Sequence, residues 1–272
     1  MLNYNEYEYT MSLDIEFIGQ EKYIGRVPEP IPAFKKFPEW YAQLKGRGKC
    51  PLDFLGEKQN YEVKPATGSI KNCPGITDFL KHGYVIPAWD TFTFRQDPRG
   101  GLMVNWIESD LPIKFSAHSS NQFNTMSETQ SPLYDAFFKI AGPWYIKTRP
   151  GVSVMLAHPV WHRNKIFTSC SGVYHTDINA CQLQWFFEMN SIPNLVTEDF
   201  DYKTQVVYKG DPIMLVIPFY RDKFKSKVSY VSDFEFAAIE NNTHEMNVIS
   251  KIANRGMSDY VRLSRKLKNF FR

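Results

Sequence analysis

The octapeptide GVYHTDIN, residues Gly172 to Asn179, sets a histidine and an aspartate two positions apart inside a β-looking run. On a strand, alternate side chains share a face, so His175 and Asp177 are expected to point the same way. A His-x-Asp pair is two-thirds of the facial triad that holds non-haem iron(II) in oxygenases. The third ligand would be a distal histidine, His244, with Arg255 beyond it to clamp a cosubstrate carboxylate. Both fall in a stretch that reads as a capped helix, where that spacing spans ~16 Å at the helical rise. One metal-bound carboxylate is not easily reached from both ends of such a span.

A second route to a metal site is local. The segment LAHPVWHRN supplies His158 and His162, and adjacent strands could bring either to His175 and Asp177. Three imidazoles and a carboxylate would suit iron, manganese or zinc in a cupin-like barrel. Against this, His158 precedes a proline turn and His162 flanks a loop, and both positions are ordinary for structural histidines. Other catalytic patterns are missing from the sequence: it has no G-x-S-x-G elbow, no phosphate-cradling loop and no G-x-G-x-x-G. The carboxylates Glu108 and Asp110 sit beside a loop and read as a hydrophilic turn.

The elements that would position these residues read mainly as strands. The 272 residues are 43% hydrophobic and 15% aromatic, a composition that excludes a disordered chain and favours packed sheets. Short runs such as YVIPAW, DTFTFRQ, GLMVNWIE, VSVMLAHP, CQLQWFFEM and PIMLVIPFY are bounded by Gly, Pro, Asn and Asp. They recur as in an antiparallel β-sandwich or barrel over residues 66–230. Asp97 to Gly101, DPRGG, is the clearest hairpin turn. Two helices are expected to interrupt this body: ITDFLKHG, stopped by Gly83, and SPLYDAFFKIAG over 131–142, with Ser131 as cap and Gly142 as stop. Ahead of the body lies a proline-rich arm, 1–65, with one short helix in FPEWYAQLKG. Behind it lies a helical tail, 231–272, in which Ser232 can cap DFEFAAIENN.

Charge and cysteines narrow the functional classes. A net charge of +3 gives no electrostatic case for nucleic acid. The tail does carry Arg262, Arg265, Lys266 and Lys268, interleaved with apolar residues. An amphipathic helix of this kind docks on the body or on a partner chain more readily than on a phosphate backbone. Cys50, Cys73, Cys170 and Cys181 form no C-x-x-C pair, so zinc-knuckle and redox motifs are absent. No basic-then-apolar leader opens the sequence and no window is apolar enough for a membrane helix. The expected setting is a reducing aqueous one, host cytoplasm or virion, without membrane association.

Four stretches carry a resemblance: NCPGITDFLKHGYVIPAW, YIKTRPGVSVMLAHPVWHRN, SGVYHTDINACQLQWFFEMN and VVYKGDPIMLVIPFYRDK. Together they resemble a family of uncharacterised bacterial and phage proteins over the middle half of the chain. The matching positions are Gly83, Pro150 and Gly151, Gly172 with Thr176 and Asp177, Gly210 with Pro212, and Pro218 with Arg221. The resemblance implies a compact jelly-roll-like body and a phage or phage-like source. It also implies structural turns at these positions, because the family pattern keeps Thr-Asp without requiring the histidine before it. Asp177 is then expected to accept backbone N–H bonds and fix a tight turn, and Arg221 to pair with a carboxylate.

The expectation is therefore a mainly β protein, a jelly-roll-like antiparallel sandwich with a proline-rich arm and a helical tail. It would be non-enzymatic and bind a protein partner, or itself, through its termini, with no cofactor. The rival is a metal-dependent oxygenase holding iron(II) at His175 and Asp177 with His158, His162 or His244. A weaker rival is a small-ligand binder with a pocket lined by Trp106, Trp144 and Trp185.

Overall fold

The structure is a computed structural model that describes residues 14–44, 70–96, 102–107, 111, 113–118, 137–190 and 203–241. It falls into two units, one of Met1–Phe37 with His82–Asp222, the other of Pro38–Lys81 with Lys223–Arg272.

The first unit is mainly β, and all its strand pairs are antiparallel. In chain order its strands are β1 (Ile15–Ile18), β2 (Ile31–Pro32), β3 (Tyr84–Pro87), β4 (Phe92–Gln96), β5 (Leu102–Trp106), β6 (Lys114–His118) and β7 (Phe137–Thr148). They continue as β8 (Val152–Ala157), β9 (Phe167–Ser169), β10 (Gly172–Tyr174), β11 (Cys181–Met189), β12 (Lys203–Val207) and β13 (Pro212–Tyr220). One sheet runs β1-β7-β11-β9, a second runs β10-β8-β13-β3-β2, and a third runs β12-β4-β5. The long strand β7 organises the first sheet. β11 follows one of its edges, while β6 and β1 share the other, pairing with opposite ends of β7.

Side-chain alternation explains why these runs are strands. In β11, Leu183, Trp185, Phe187 and Met189 are buried while Gln184, Phe186 and Glu188 lie on the other face. In β13 every residue from Ile213 to Ile217 is buried, as fits a strand flanked by β8 and β3 and covered on both faces. All three sheets feed one apolar cluster that includes Ile86, Val154, Val216, Phe94, Phe138, Trp185 and Phe187. At its centre Trp185 stacks on Phe187 with ring centroids 3.7 Å apart, while Phe167 and Phe94 meet the indole edge-on. The Trp185 indole N–H donates to Ser169 Oγ at 3.0 Å, and the Ser169 hydroxyl donates to the Ile213 carbonyl. This buried serine ties β9 to β13, strands of different sheets.

Two sequence expectations are corrected. The helix over 131–142 is not formed: 137–142 is the first half of β7, and Ser131 lies outside the described residues. Gly142 there ends no helix. A Cβ on it would press on the Trp89 ring at 3.0 Å, and here β7 bulges, with Gly142, Pro143 and Trp144 set against the single Leu183 of β11. Glycine next to Pro143 marks a strand irregularity, which the sequence alone does not distinguish from a helix stop. Part of the proline-rich arm is described as well. Its residues 14–37 belong to the first unit, adding β1 to β7 and β2 to β3. Lastly, β10 ends at Tyr174, so His175 and Asp177 stand in the turn after the strand and the strand-face argument does not apply to them. The turn at 97–101 lies outside the described residues, although β4 and β5 on either side of it do pair.

Gly83 is required where it stands. Its φ of +75° belongs to the left-handed region, and a Cβ would overlap the Val216 carbonyl oxygen. It ends the expected helix, observed as α2, into β3.

The second unit holds α1 (Glu39–Gln43) and α2 (Pro74–Lys81). The Tyr41 hydroxyl meets Thr77 Oγ1 at 3.0 Å, and the Lys71 ammonium lies 5.3 Å from the Tyr41 ring centroid. Residues 233–241 are helical. Ser232 and Glu235 close a capping box, with Ser232 N–H on Glu235 Oε2 at 3.1 Å and Glu235 N–H on Ser232 Oγ at 3.4 Å. The rest of the tail, with Arg262, Arg265, Lys266 and Lys268, lies outside the described residues.

Candidate functional site

Pro150, Gly151, Thr176, Asp177 and Arg221, among the residues singled out in the sequence, meet at one end of the second sheet. Arg149, Pro150, Gly151 and Val152 form a tight turn closed by Val152 N–H on the Arg149 carbonyl at 3.2 Å. Proline at its second position and glycine with φ +82° at its third suit that turn. It opens β8, which pairs on one side with β10 and on the other with β13. The turn after β10 brings in His175, Thr176 and Asp177, and the residue after β13 is Arg221.

Four side chains then interlock. Arg221 grips the Asp177 carboxylate with two prongs: Nη1 donates to Oδ1 at 2.6 Å and Nη2 to Oδ2. Asp177 Oδ2 also accepts the Gly151 N–H at 2.9 Å. Nη1 of Arg221 reaches Ser153 Oγ at 2.7 Å, and that oxygen lies 2.9 Å from His175 Nδ1. The guanidinium can only donate, so Ser153 Oγ accepts from Arg221, and either partner can supply the proton of the Ser153–His175 bond. The hydrogen bond from Arg221 holds the Asp177 carboxyl well below the usual carboxylate range, helped by the Gly151 N–H. Beneath the cluster, Thr148 donates to the Val152 carbonyl at 2.8 Å and accepts from the Thr176 hydroxyl at 2.7 Å, with both threonines buried. Gly172 opens β10, Gly210 lies in the turn before β13, and Pro212 is the first residue of that strand.

The arrangement resembles a serine–histidine pair but lacks what nucleophilic catalysis needs. Ser153 is completely buried, so no substrate carbonyl can reach its oxygen. The carboxylate that would orient the histidine is turned to Arg221 instead. The Asp177 carboxylate is also engaged as a ligand would be. Both Asp177 oxygens are engaged by the guanidinium, and a divalent cation there would face a fixed positive charge. Among the described residues, no three His, Cys, Asp or Glu side chains come together as a metal-binding group. His158 uses Nδ1 to accept the Ser169 N–H at 3.1 Å and packs against the Phe167 ring. Its pKa is lowered by burial. His162, half-buried, is lowered to about 4 by burial and by Lys36. His244 and Arg255 lie outside the described residues. Burial and Glu188 push the Cys170 thiol up to about 11, so it is no nucleophile at neutral pH.

The three tryptophans are placed separately. Trp185 has no exposed surface and fills the core. Trp144, on β7, donates its indole N–H to the Pro28 carbonyl at 3.3 Å, and Trp106 ends β5 at the border of the core.

A surface feature escapes the sequence reading altogether. From Lys223 to Val231 every residue is exposed and none belongs to a strand or helix. Phe224 is 89%, Val228 80% and Tyr230 96% exposed, and Phe234 and Phe236 on the following helix are exposed as well. The available signal was a period of two: apolar Phe224, Val228 and Tyr230 fall on one parity, and Lys223, Lys225 and Lys227 on the other.

No protein-family model matches the chain, and comparison with curated proteins likewise gives no match.

Proposed function

We propose that this chain is a non-catalytic protein-binding module, a virion component or a host-interaction factor of phage type. Its body is read as a jelly-roll-like sandwich, and the contact with the partner is made by the apolar segment that follows β13. The sandwich reading is supported by antiparallel sheets that share one aromatic core. The binding reading is carried by a single observation. Residues 223–241 expose Phe224, Val228, Tyr230, Phe234 and Phe236 in one continuous stretch, where a monomeric surface rarely leaves so much apolar area uncovered. The buried Ser153 and the fork of Arg221 on Asp177 support a structural role for the cluster around His175.

The test is capture from host extract on the immobilised full chain, compared with a Phe234→Ser, Phe236→Ser variant. A protein retained by the wild type and lost from the variant supports the reading. Equal retention by both, or by neither, contradicts it.

A further inference from the structure

Resting on that protein-binding reading, we propose that the partner includes a second copy of this chain. Residues 224–231 of one copy would add as a strand to the outer edge of β5 in the other.

The donor has the pattern of an amphipathic strand but no sheet. Phe224, Val228 and Tyr230 alternate with Lys225, Lys227 and Ser229, so a strand built from them would have one apolar face and one polar face. Such a two-faced strand with unpaired backbone gains a full ladder of hydrogen bonds only at a sheet edge. Among the described residues, 223–231 joins no sheet and packs none of these aromatics away.

The acceptor is the outer edge of β5. β5 pairs with β4 on one side and, among the described residues, with no strand on the other. Its solvent-side residues include exposed Met103, with exposed Ile107 just after the strand. Its core-side residues Val104 and Trp106 are only partly buried, although they pack on the main apolar cluster. Natural sheets guard such an edge with charges, a proline or a cover; β5 has neither charge nor proline in LMVNW, and among the described residues no strand covers its outer edge. An added strand with Phe224, Val228 and Tyr230 on the core side would finish covering Val104 and Trp106. Its lysines would lie on the solvent side, with their methylene stems over Met103 and Ile107. The five residues of β5 are matched by the eight from Phe224 to Val231. One chain thus carries both halves of the contact, and each copy can give and receive a strand.

The test is mass in solution by sedimentation equilibrium on the purified full chain at micromolar concentrations. Two variants are run beside it: Val228→Pro with Ser229→Pro, which removes an N–H from each edge of the donor strand, and Met103→Lys with Ile107→Lys on the acceptor. The donor positions are exposed and outside any sheet, so the proline variant keeps the fold, which circular dichroism checks. The expected result is a wild-type mass of twice 31.7 kDa. The proline variant should fall to the monomer, and the lysine variant should dissociate about tenfold more readily. A monomeric wild type overturns the inference, and so does a dimer unaffected by the prolines. A dimer broken by the prolines and indifferent to the lysines overturns the choice of β5. A monomer that still captures a host protein through this segment leaves the binding reading standing without the self-association.

Discussion

Arg221 and Asp177 lie 44 residues apart in the chain, yet the guanidinium of one holds both oxygens of the other in a forked ion pair. That pair closes the end of the β8–β13 ladder on the turn after β10. Arg221 N–H also bonds the Gly151 carbonyl at 3.1 Å, and Gly151 N–H bonds Asp177, so backbone and side chains interlock three chain segments. Fork geometry of this kind is stronger and more specific than a single-pronged contact.

Breaking the fork should therefore cost stability and nothing else. Asp177→Asn keeps an acceptor for Gly151 and loses the charge, so its thermal midpoint should fall by less than that of Asp177→Ala. Arg221→Lys should rescue little, because an ammonium cannot supply two parallel donors. Differential scanning calorimetry gives the ranking.

The same pair sets an acid dependence. Asp177 is depressed in the folded state, so its contribution is fully present above the unfolded value of about 4. It is lost as pH falls toward the folded value. The stability gap between wild type and Asp177→Asn should accordingly be flat from pH 8 to pH 5 and shrink in stronger acid. Urea unfolding at several pH values reads it.

His162 titrates in the opposite chemical sense with the same direction in pH. Its folded pKa of about 4 lies below the ordinary 6.5, so the folded state favours the neutral ring. Stability from this site is present above pH 6.5 and lost as the pH falls toward 4. His162→Gln should flatten the wild-type decline across that window, and the imidazole proton resonances of His162 should not move above pH 5.5 or so.

Ser169 is a small residue with a large expected effect. Ser169→Ala would strand the buried Trp185 indole N–H and free the Ile213 carbonyl, at a cost of about 1–3 kcal/mol. Added to Trp185→Phe, which removes the orphaned donor, the serine change should cost less than it does alone. Gly83→Ala combines a left-handed φ with overlap on the Val216 carbonyl, and should exceed the ~1–2 kcal/mol of the backbone conformation by itself.

Much of this molecule is legible in its sequence where one residue's neighbours decide its state. β11 declares itself in CQLQWFFEM because each face is uniform, and α2 does so because Gly83 ends it. The segment 137–142 is different: FFKIAG fits either period, and only pairing with β6 and β11 makes it a strand. β1 and β2 are too short to read, since their apolar pattern acquires meaning only on β7 and β3. The cluster around Asp177 is half legible. The turns, the aspartate and the arginine can be picked out, but Ser153 is one small residue among VSVM and is chosen by the fold, which brings β8 under Arg221. The His-x-Asp spelling misleads because spacing alone does not reveal that Arg221 already occupies the carboxylate.

On the proposed function, the Asp177 cluster holds the fold while the segment after β13 does the binding. The most direct measurement pairs thermal unfolding with host-protein capture on two variants, Asp177→Asn and Phe224→Ser with Phe234→Ser. Asp177→Asn is expected to melt earlier yet bind fully below its transition, and the phenylalanine variant to melt as wild type yet lose capture. An intact melting curve with abolished binding in Asp177→Asn would contradict it and return His175 and Asp177 to the functional site.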